Sequence, residues 1–347
     1  MKKRALAVGF VTSSELINQD FDSRLVNFLS AVETRSGEAI AAELCCSRTA
    51  VWKHIEALRA QGILIDAVAG QGYKLREPLE LLNKSLIIEQ LKKSSESKLR
   101  KLVILASTDS TNSFLQALPV AEQSGVAVLA ECQSAGRGRR GQNWVSPFGR
   151  NIYASLGWEF DCGVGELACL PLLLALSACD ALDRVGLKGH LIKWPNDILM
   201  KGRKLGGCLV EVQGDVSGPC RAVMGIGINV GMSESTPGAD TIDQPWTDVS
   251  SHVEKVSRNQ LAAFLLDSLL VRLGIFAADG FRPFQHEWKT RDALAGKEIE
   301  LKLTGTTIKG IALGISTSGA LVLQSQSGVG EYLAGEVSIC RQGSVRE

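Results

Sequence analysis

Gln133-Ser134-Ala135-Gly136-Arg137-Gly138-Arg139-Arg140-Gly141 is the segment from which the architecture can be worked out. Its Gly-x-Gly-x-x-Gly spacing superficially matches a dinucleotide-binding turn, yet no βαβ unit with a downstream ribose carboxylate surrounds it. Nor does it end in the Lys-Ser or Lys-Thr of a phosphate-binding P-loop. What it does supply is three guanidinium groups on a glycine-flanked loop. Glycine tolerates backbone angles that other residues avoid, so such a loop can fold closely around an anion. The same composition also fits an exposed basic loop that touches RNA.

Around this loop lie apolar runs of strand length, at 102–105, 126–130, 152–156, 191–193, 205–212 and 221–230, interrupted by a helical run over 167–185. Helical patterns at 259–275 and 281–294 close this unit, which predicts a mixed α/β layer architecture. Beyond Gly296, alternation over 297–303, 307–313, 320–323 and 331–339 predicts a compact β-barrel of short strands. The segment 231–248 is rich in Ser, Thr, Gly, Pro and acidic residues and is expected not to pack a core.

Upstream of Glu77-Pro78 the pattern changes, and a charged helical segment reaching Lys101 serves as connector. Residues 1 to about 20 show no periodicity and are expected to form a loose tail, with organised structure starting near Asp22. Leu25, Val26, Phe28 and Leu29 predict one short helix, and Ile40 and Leu44 a second over 37–44. Ser47 caps a third helix with Val51, Ile55 and Leu58 on its inner face. The run 63–65, Gly70, Gly72 and the run 73–75 then predict a small hairpin. This is the element order of a winged helix-turn-helix, whose third helix enters the DNA major groove. Ser47, Arg48, Thr49, Trp52, Lys53 and His54 are the DNA-facing candidates. A three-helix interaction module with a solvated third helix fits the same spacing. Residues 21–80 carry seven Lys or Arg against eight Asp or Glu, so a single copy is expected to bind DNA weakly and two copies to share a two-part site.

With 347 residues, 45% of them hydrophobic, the chain can bury ordinary cores in two or three domains. A formal net charge of +1 excludes a global field that drives the whole molecule onto nucleic acid or anionic lipid. Nine cysteines without a Cys-x-x-Cys pair suit neither a disulfide framework nor a zinc site, and point to a reducing cytoplasm. The basic start at residues 1–4 and the apolar run to Val11 lack a cleavage site, so secretion is not expected. The apolar stretch 167–179 is too short to cross a bilayer and is expected to be a buried helix of a soluble protein with no membrane partner.

Four segments, taken in order, carry a resemblance to biotin protein ligases over most of residues 102–230. They are Asp109-Ser110-Thr111-Asn112; the Arg loop with Trp144; Lys193-Trp194-Pro195-Asn196-Asp197; and Lys204-Leu205-Gly206-Gly207, leading through Glu211 to Gly225-Ile226-Gly227-Ile228-Asn229. With the winged module in front, the chain resembles the subgroup that is both biotin ligase and biotin operon repressor. The resemblance implies an α+β multidomain protein: a winged helix-turn-helix over 21–80, a central mixed α/β ligase domain over 81–294 and a C-terminal SH3-like β-barrel over 295–347.

It also implies ATP-dependent activation of biotin to biotinyl-5'-AMP, followed by transfer to a lysine of biotin carboxyl carrier protein. Ser110, Thr111, Asn112, Gln133, Arg137, Gly138, Arg139 and Lys193 would line the biotin pocket, with Lys193, Arg137 and Arg139 catalytic. Trp144, Asn196, Lys204, Gly206 and Asn229 would hold the adenylate. Lys193 suits its role on chemical grounds too: it ends an apolar strand before a Pro turn, and charge that accumulates on an α-phosphate is best met by a preorganised cation. A merely solvated strand-end lysine is the other reading. Mg2+ is expected to arrive on the phosphates, with no metal site of the protein's own. The further implied partners are operator DNA and a second copy of the chain once the adenylate is bound, with biotin serving as substrate and corepressor precursor. Cys132 and Cys208 read as core fillers, and Glu331 to Glu336 as a stretch that approaches the active site. A lipoate-type protein ligase and a non-catalytic biotin-sensing regulator are the alternatives. The long tail, Cys45 in a turn where Gly is common, and the near-neutral N-terminal module depart from the family pattern.

Overall fold

In the computed structural model residues 13–215, 218–234 and 236–340 are described. The basic start of the chain, read above as no secretion signal, and residues 341–347 lie outside them. The first helix, α1, spans Ser13–Phe28. This corrects the expectation of a loose tail to residue 20: the helix that buries Leu25 and Val26 in the module's core runs back to Ser13. Next, Ser36 Oγ accepts from the Ala39 N–H to start α2 (Gly37–Glu43), and Ser47 Oγ accepts from the Ala50 N–H to start α3 (Arg48–Ala60). Each serine satisfies a backbone donor that the first helical turn leaves orphaned. Between these helices Cys45 takes a left-handed φ of 52°, the conformation that makes Gly common there. The wing pairs β1 (Ile65–Val68) with β2 (Gly72–Leu75), antiparallel.

The module's core of Leu25, Val26, Ile40, Val51, Ile55 and Leu58 also takes in Phe148, a residue of the central unit that is only 2% exposed. Around that insertion, Leu79 packs on Gly149 and Arg150 pairs with Glu77. The winged module is therefore seated on the central unit by side-chain packing as well as by its connector.

Short helices α4 (Lys84–Glu89) and α5 (Lys93–Glu96) lead into the central sheet. Its elements in chain order are β3 (Lys101–Thr108), α6 (Thr111–Ala117), β4 (Val126–Gln133), β5 (Ile152–Phe160), α7 (Leu170–Arg184), β6 (His190–Lys193), β7 (Asp197–Met200), β8 (Arg203–Gly214) and β9 (Cys220–Ile228). The strand order is β3-β4-β5-β9-β8-β7-β6, with only β3 and β4 parallel. The predicted strands are all present. The reading above lacked β7, a four-residue strand squeezed between the Trp194-Pro195 turn and the Lys201-Gly202 turn.

Helices α7 and α8 (Arg258–Asp279) pack on each other and form the core under this sheet. The stretch Val164–Arg184, which ends in α7, and α8 are each long and apolar enough to cross a membrane, and most of each is buried inside the protein. Helix α9 (Gln285–Arg291) completes the unit.

The C-terminal strands are β10 (Glu298–Leu303), β11 (Thr306–Ile315), β12 (Leu321–Ser325), β13 (Gly328–Tyr332) and β14 (Glu336–Ile339). They form a sheet of order β13-β12-β11-β10-β14. Its two edge strands do not pair, so it is an open sheet and not the closed barrel expected. Alternation identifies which face of a strand is buried but not whether the two edges meet, which depends on tilt and stagger around the whole sheet. The sheet is keyed to the central unit where Trp194 Nε1 donates to the Gly319 carbonyl at 3.0 Å.

Candidate functional site

The loop that follows β4, the N-terminal turn of α6, the β6–β7 turn and the middle of β8 and β9 enclose one cleft of about 520 Å³. Backbone pairing shapes the Arg loop. Gly138 N–H donates to Gln142 O, Trp144 N–H donates to Gly136 O, and Arg137 bridges Asn143 across the turn. Gly136 is obligatory here, since a Cβ would sit 2.6 Å from the Trp144 carbonyl oxygen.

The five cations around the cleft differ in how their charge is met. Lys204 Nζ lies 2.9 Å from Asp197 Oδ1 and 5.5 Å from the Trp144 ring centroid. Arg137 pairs with Glu211 at 3.5 Å, and Arg140 reaches across to Glu336 of the C-terminal sheet at 3.3 Å. Arg139 donates to Asn196 Oδ1 at 3.3 Å and is in no ion pair among the described residues. Burial, then repulsion from Arg140, pulls its guanidinium below the usual arginine range, against the pull of Asp197 and Glu336. The Lys193 ammonium has no hydrogen-bond or ion-pair partner among the described residues and lines the same cleft. A cleft that holds two cations without a counter-ion, one of them desolvated, is built to receive negative charge.

At the other end the lining is polar and ordered. Ser110, Thr111 and Asn112 are buried at the start of α6. Gln133 Oε1 accepts from the Thr111 N–H at 2.9 Å and from the Thr111 hydroxyl at 3.2 Å. Beneath them, Ser155 Oγ lies 2.7 Å from Thr111 Oγ1 and 2.6 Å from Asn112 Oδ1. Two glycines on one face of β9 make room for site side chains. A Cβ on Gly225 would sit 2.3 Å from Asn112 Oδ1, and one on Gly227 would sit 2.4 Å from Trp144 Cε2. The Trp144 indole thus lies directly on the strand.

The structure brings together around the cleft Ser110, Thr111, Asn112, Gln133, Arg137, Gly138, Arg139, Trp144, Lys193, Asn196 and Lys204. It does not bring in two of the expected residues. Gly206 faces Ile198 and Ile228 on the core side, and its neighbour Gly207 lies under Trp144 instead. Asn229 is buried and holds the far end of the 231–248 segment by donating to Thr247 O. That segment also departs from expectation. Met232, Ala239, Thr247 and Asp248 are buried, and 241–244 line the cleft. Its backbone pairs with β8 at Lys204, which donates to Pro245 O and accepts from the Thr247 N–H, and Gly231 N–H donates to Arg150 O, so hydrogen bonding anchors it where apolar content is low. Of the stretch 331–336, Gly335 is not the sole contact, since Glu336 also lines the cleft. Ser155, Glu211, Gly225 and Gly227 were given no role by sequence reading. The i, i+2 glycines on one strand face were the available signal for the last two. Cys132 and Cys208 sit as fillers, their thiols pushed up by burial.

On the winged module, Trp52 is 53% exposed and Lys53 and Thr49 are exposed, while Arg48 pairs with Glu38 at 3.1 Å. Ser47 is the cap of α3. His54 turns away from that face: its Nδ1 lies 2.7 Å from Asp22 Oδ1, and its ring stacks 4.2 Å from Phe21.

Residues 104–229 match the Biotin/lipoate A/B protein ligase family, residues 23–74 an HTH domain, and residues 295–339 the Biotin protein ligase C terminal domain. The chain is 36% identical over 315 residues to the bifunctional ligase/repressor BirA of Salmonella typhimurium, covering 91% of this chain and 96% of that protein. It is 35% identical to the Escherichia coli protein of the same name, with 91% and 96% covered. Among solved structures it is similar to the biotin protein ligase from Aquifex aeolicus in complex with biotin and ATP. There the TM-score is 0.60 and the identity 30%, over 70% of this chain and 99% of that one.

Proposed function

The chain belongs to the bifunctional biotin ligase/repressor family, and from that membership we propose how its own residues share the work. It is a biotin–[acetyl-CoA-carboxylase] ligase that uses ATP, and a DNA-binding repressor. In the first half-reaction a biotin carboxylate oxygen attacks the α-phosphorus of ATP and pyrophosphate leaves. In the second, the acceptor lysine nitrogen attacks the acyl carbon and AMP leaves. Lys193 and Arg139 take the negative charge that builds on the α-phosphate and the acyl phosphate, because theirs are the two cleft cations in no ion pair among the described residues. This pair in one cleft is the observation that carries the reading. Arg137, tied to Glu211 and Ser113, organises the ureido end, and Ser110, Thr111, Asn112 and Gln133 line it. Trp144, Lys204 and Asn196 flank the nucleotide.

Among the described residues no three His, Cys, Asp or Glu side chains stand together; of the carboxylates lining the cleft, Asp197 is paired with Lys204 and Glu336 with Arg140, and Asp243 stands apart on the 231–248 segment. Those donors fit a magnesium ion held chiefly by phosphate oxygens, where it would offset phosphate charge. In the cytoplasm, adenylate that is not consumed by carrier protein would promote a dimer on operator DNA, with Thr49, Trp52 and Lys53 turned to the groove.

Biotin, Mg-ATP and a biotin carboxyl carrier domain, followed by mass spectrometry, are expected to yield the covalent biotinyl product with pyrophosphate release. Modification of a lipoyl domain alone, or no pyrophosphate, would overturn the assignment. For the repressor half, operator affinity is expected to rise by about 5- to 150-fold when biotin and ATP are both present, the usual span of allosteric coupling. An affinity indifferent to them would remove the linkage.

A further inference from the structure

The geometry points to Glu211 and Ser155 as positioning residues that lock the Asn112 carboxamide so that it can offer a ligand an acceptor and no donor. The inference rests on the reading that Asn112 lines the biotin pocket. Both amide hydrogens of Asn112 are engaged: Nδ2 donates to Glu211 Oε2 at 2.8 Å and to the Leu209 carbonyl at 3.3 Å. At the opposite end the Ser155 hydroxyl lies 2.6 Å from Oδ1. A flipped amide would set its oxygen against two acceptors, so the network admits one orientation. The bare backbone of Gly225, on which the amide rests, fixes its depth. A carbonyl oxygen has a second lone pair, and Oδ1 is left with acceptor capacity beyond Ser155. Glu211 also neutralises Arg137 at 3.5 Å, so one carboxylate holds two lining residues.

The chemical consequence is specificity. A cyclic urea brings N–H donors that a fixed acceptor can satisfy, whereas a dithiolane ring brings none and would leave the second lone pair of a buried oxygen unmatched. Sites built around such hydrogen bonds reject analogues that lack the partner far more strongly than apolar pockets reject a missing methylene. Glu211, on β8, thus helps to set which acid the enzyme activates.

Steady-state kinetics of the full chain with biotin, Mg-ATP and a carrier domain test this. Glu211→Ala is expected to raise KM for biotin about 10- to 100-fold, as loss of a buried hydrogen-bond partner does, while KM for ATP stays within about twofold. Glu211→Gln keeps an oxygen for Nδ2 and is expected to restore most of the biotin KM. In an Asn112→Ala background Glu211→Ala should add only the smaller part that comes from releasing Arg137, clearly less than it costs in the wild type, because the larger part of its effect runs through that amide. Equal damage by Gln and Ala, additive effects with Asn112→Ala, or an unchanged biotin KM would each overturn the assignment. Should Glu211→Ala fail to fold, Ser155→Ala deletes a single oxygen at the other end of the amide and must show the same split between substrates. A wild-type chain that does not ligate biotin would strike the underlying reading. A ligating chain whose biotin KM ignores Glu211 and Ser155 would strike this inference alone.

Discussion

Lys193→Ala is expected to lower the rate of biotin-dependent pyrophosphate release by about 10²- to 10³-fold, the cost of deleting one preorganised charge-stabilising group, with the unfolding transition nearly unmoved. The two halves of that expectation have separate causes. The ammonium has no protein partner among the described residues, so truncation leaves no orphaned carboxylate behind, and such substitutions usually stay within about 0.5 kcal/mol. Its strand is held by the backbone, Lys193 pairing with Asp197 across the β6–β7 hairpin, and that pairing survives the change. In the reaction, by contrast, Arg139 already carries its own share of the charge, and the other cations are tied up. Lys204 is committed to Asp197, Arg137 to Glu211 and Arg140 to Glu336. Lys193→Arg should recover only part of the loss, because a planar guanidinium fork on a longer stem does not put its charge where a point cation stood. Pyrophosphate release within about threefold of wild type for Lys193→Ala would remove the catalytic role.

How far the site could be read from residues alone depended on how local the determining contacts are. Lys193 was legible because its neighbours define it: an apolar run before it and a Trp-Pro turn after it place a cation at a strand end. The Arg loop was legible as a closely folding loop from its glycines, and the backbone bonds that close it, Gly138 to Gln142 and Trp144 to Gly136, emerge only in the fold. What local pattern cannot hold is which guanidinium faces inward. Arg137, Arg139 and Arg140 look alike in sequence, and their fates are set by Glu211, Asn196 and Glu336, residues 57 to 196 positions away. Ser155 was invisible for that reason also, since an alcohol in an apolar strand acquires its role only when β5 passes under α6. The four-residue β7 and the open C-terminal sheet were missed because short runs between turns, and the meeting of sheet edges, are decided by tertiary pairing. His54 sits on the same helix as Trp52, but only the extended α1 shows that its partner is Asp22.

The largest stability effect is expected at Arg258, the first residue of α8, whose substitution by Ala should cost about 3–5 kcal/mol, the range for stranding one member of a buried ion pair. Arg258 and Glu131 meet at 2.8 Å with side chains only 5% and 3% exposed. The guanidinium also donates to the Asn151 carbonyl at 2.8 Å and to the Glu80 carbonyl at 2.6 Å, so its charge is surrounded by acceptors. Removing it leaves the Glu131 carboxylate in a dry site with the Leu82 N–H as its remaining donor. Replacing both partners at once, Glu131→Leu with Arg258→Met, should cost much less than either single truncation, since no charge is then left buried. Urea titration of the three variants measures this, and a single Arg258→Ala loss below about 1 kcal/mol would show that water reaches the pair. The position also bears on regulation. Glu131 lies two residues before Gln133 on β4, Glu80 belongs to the connector from the winged module, and Asn151 accepts from the Val230 N–H where the loop over the cleft begins. One buried pair therefore ties the ligand-lining strand, the DNA-binding module's connector and the loop together. The double variant, though stable, is expected to weaken the rise in operator affinity with biotin and ATP more than it weakens ligation, and an unaltered rise would place the coupling elsewhere.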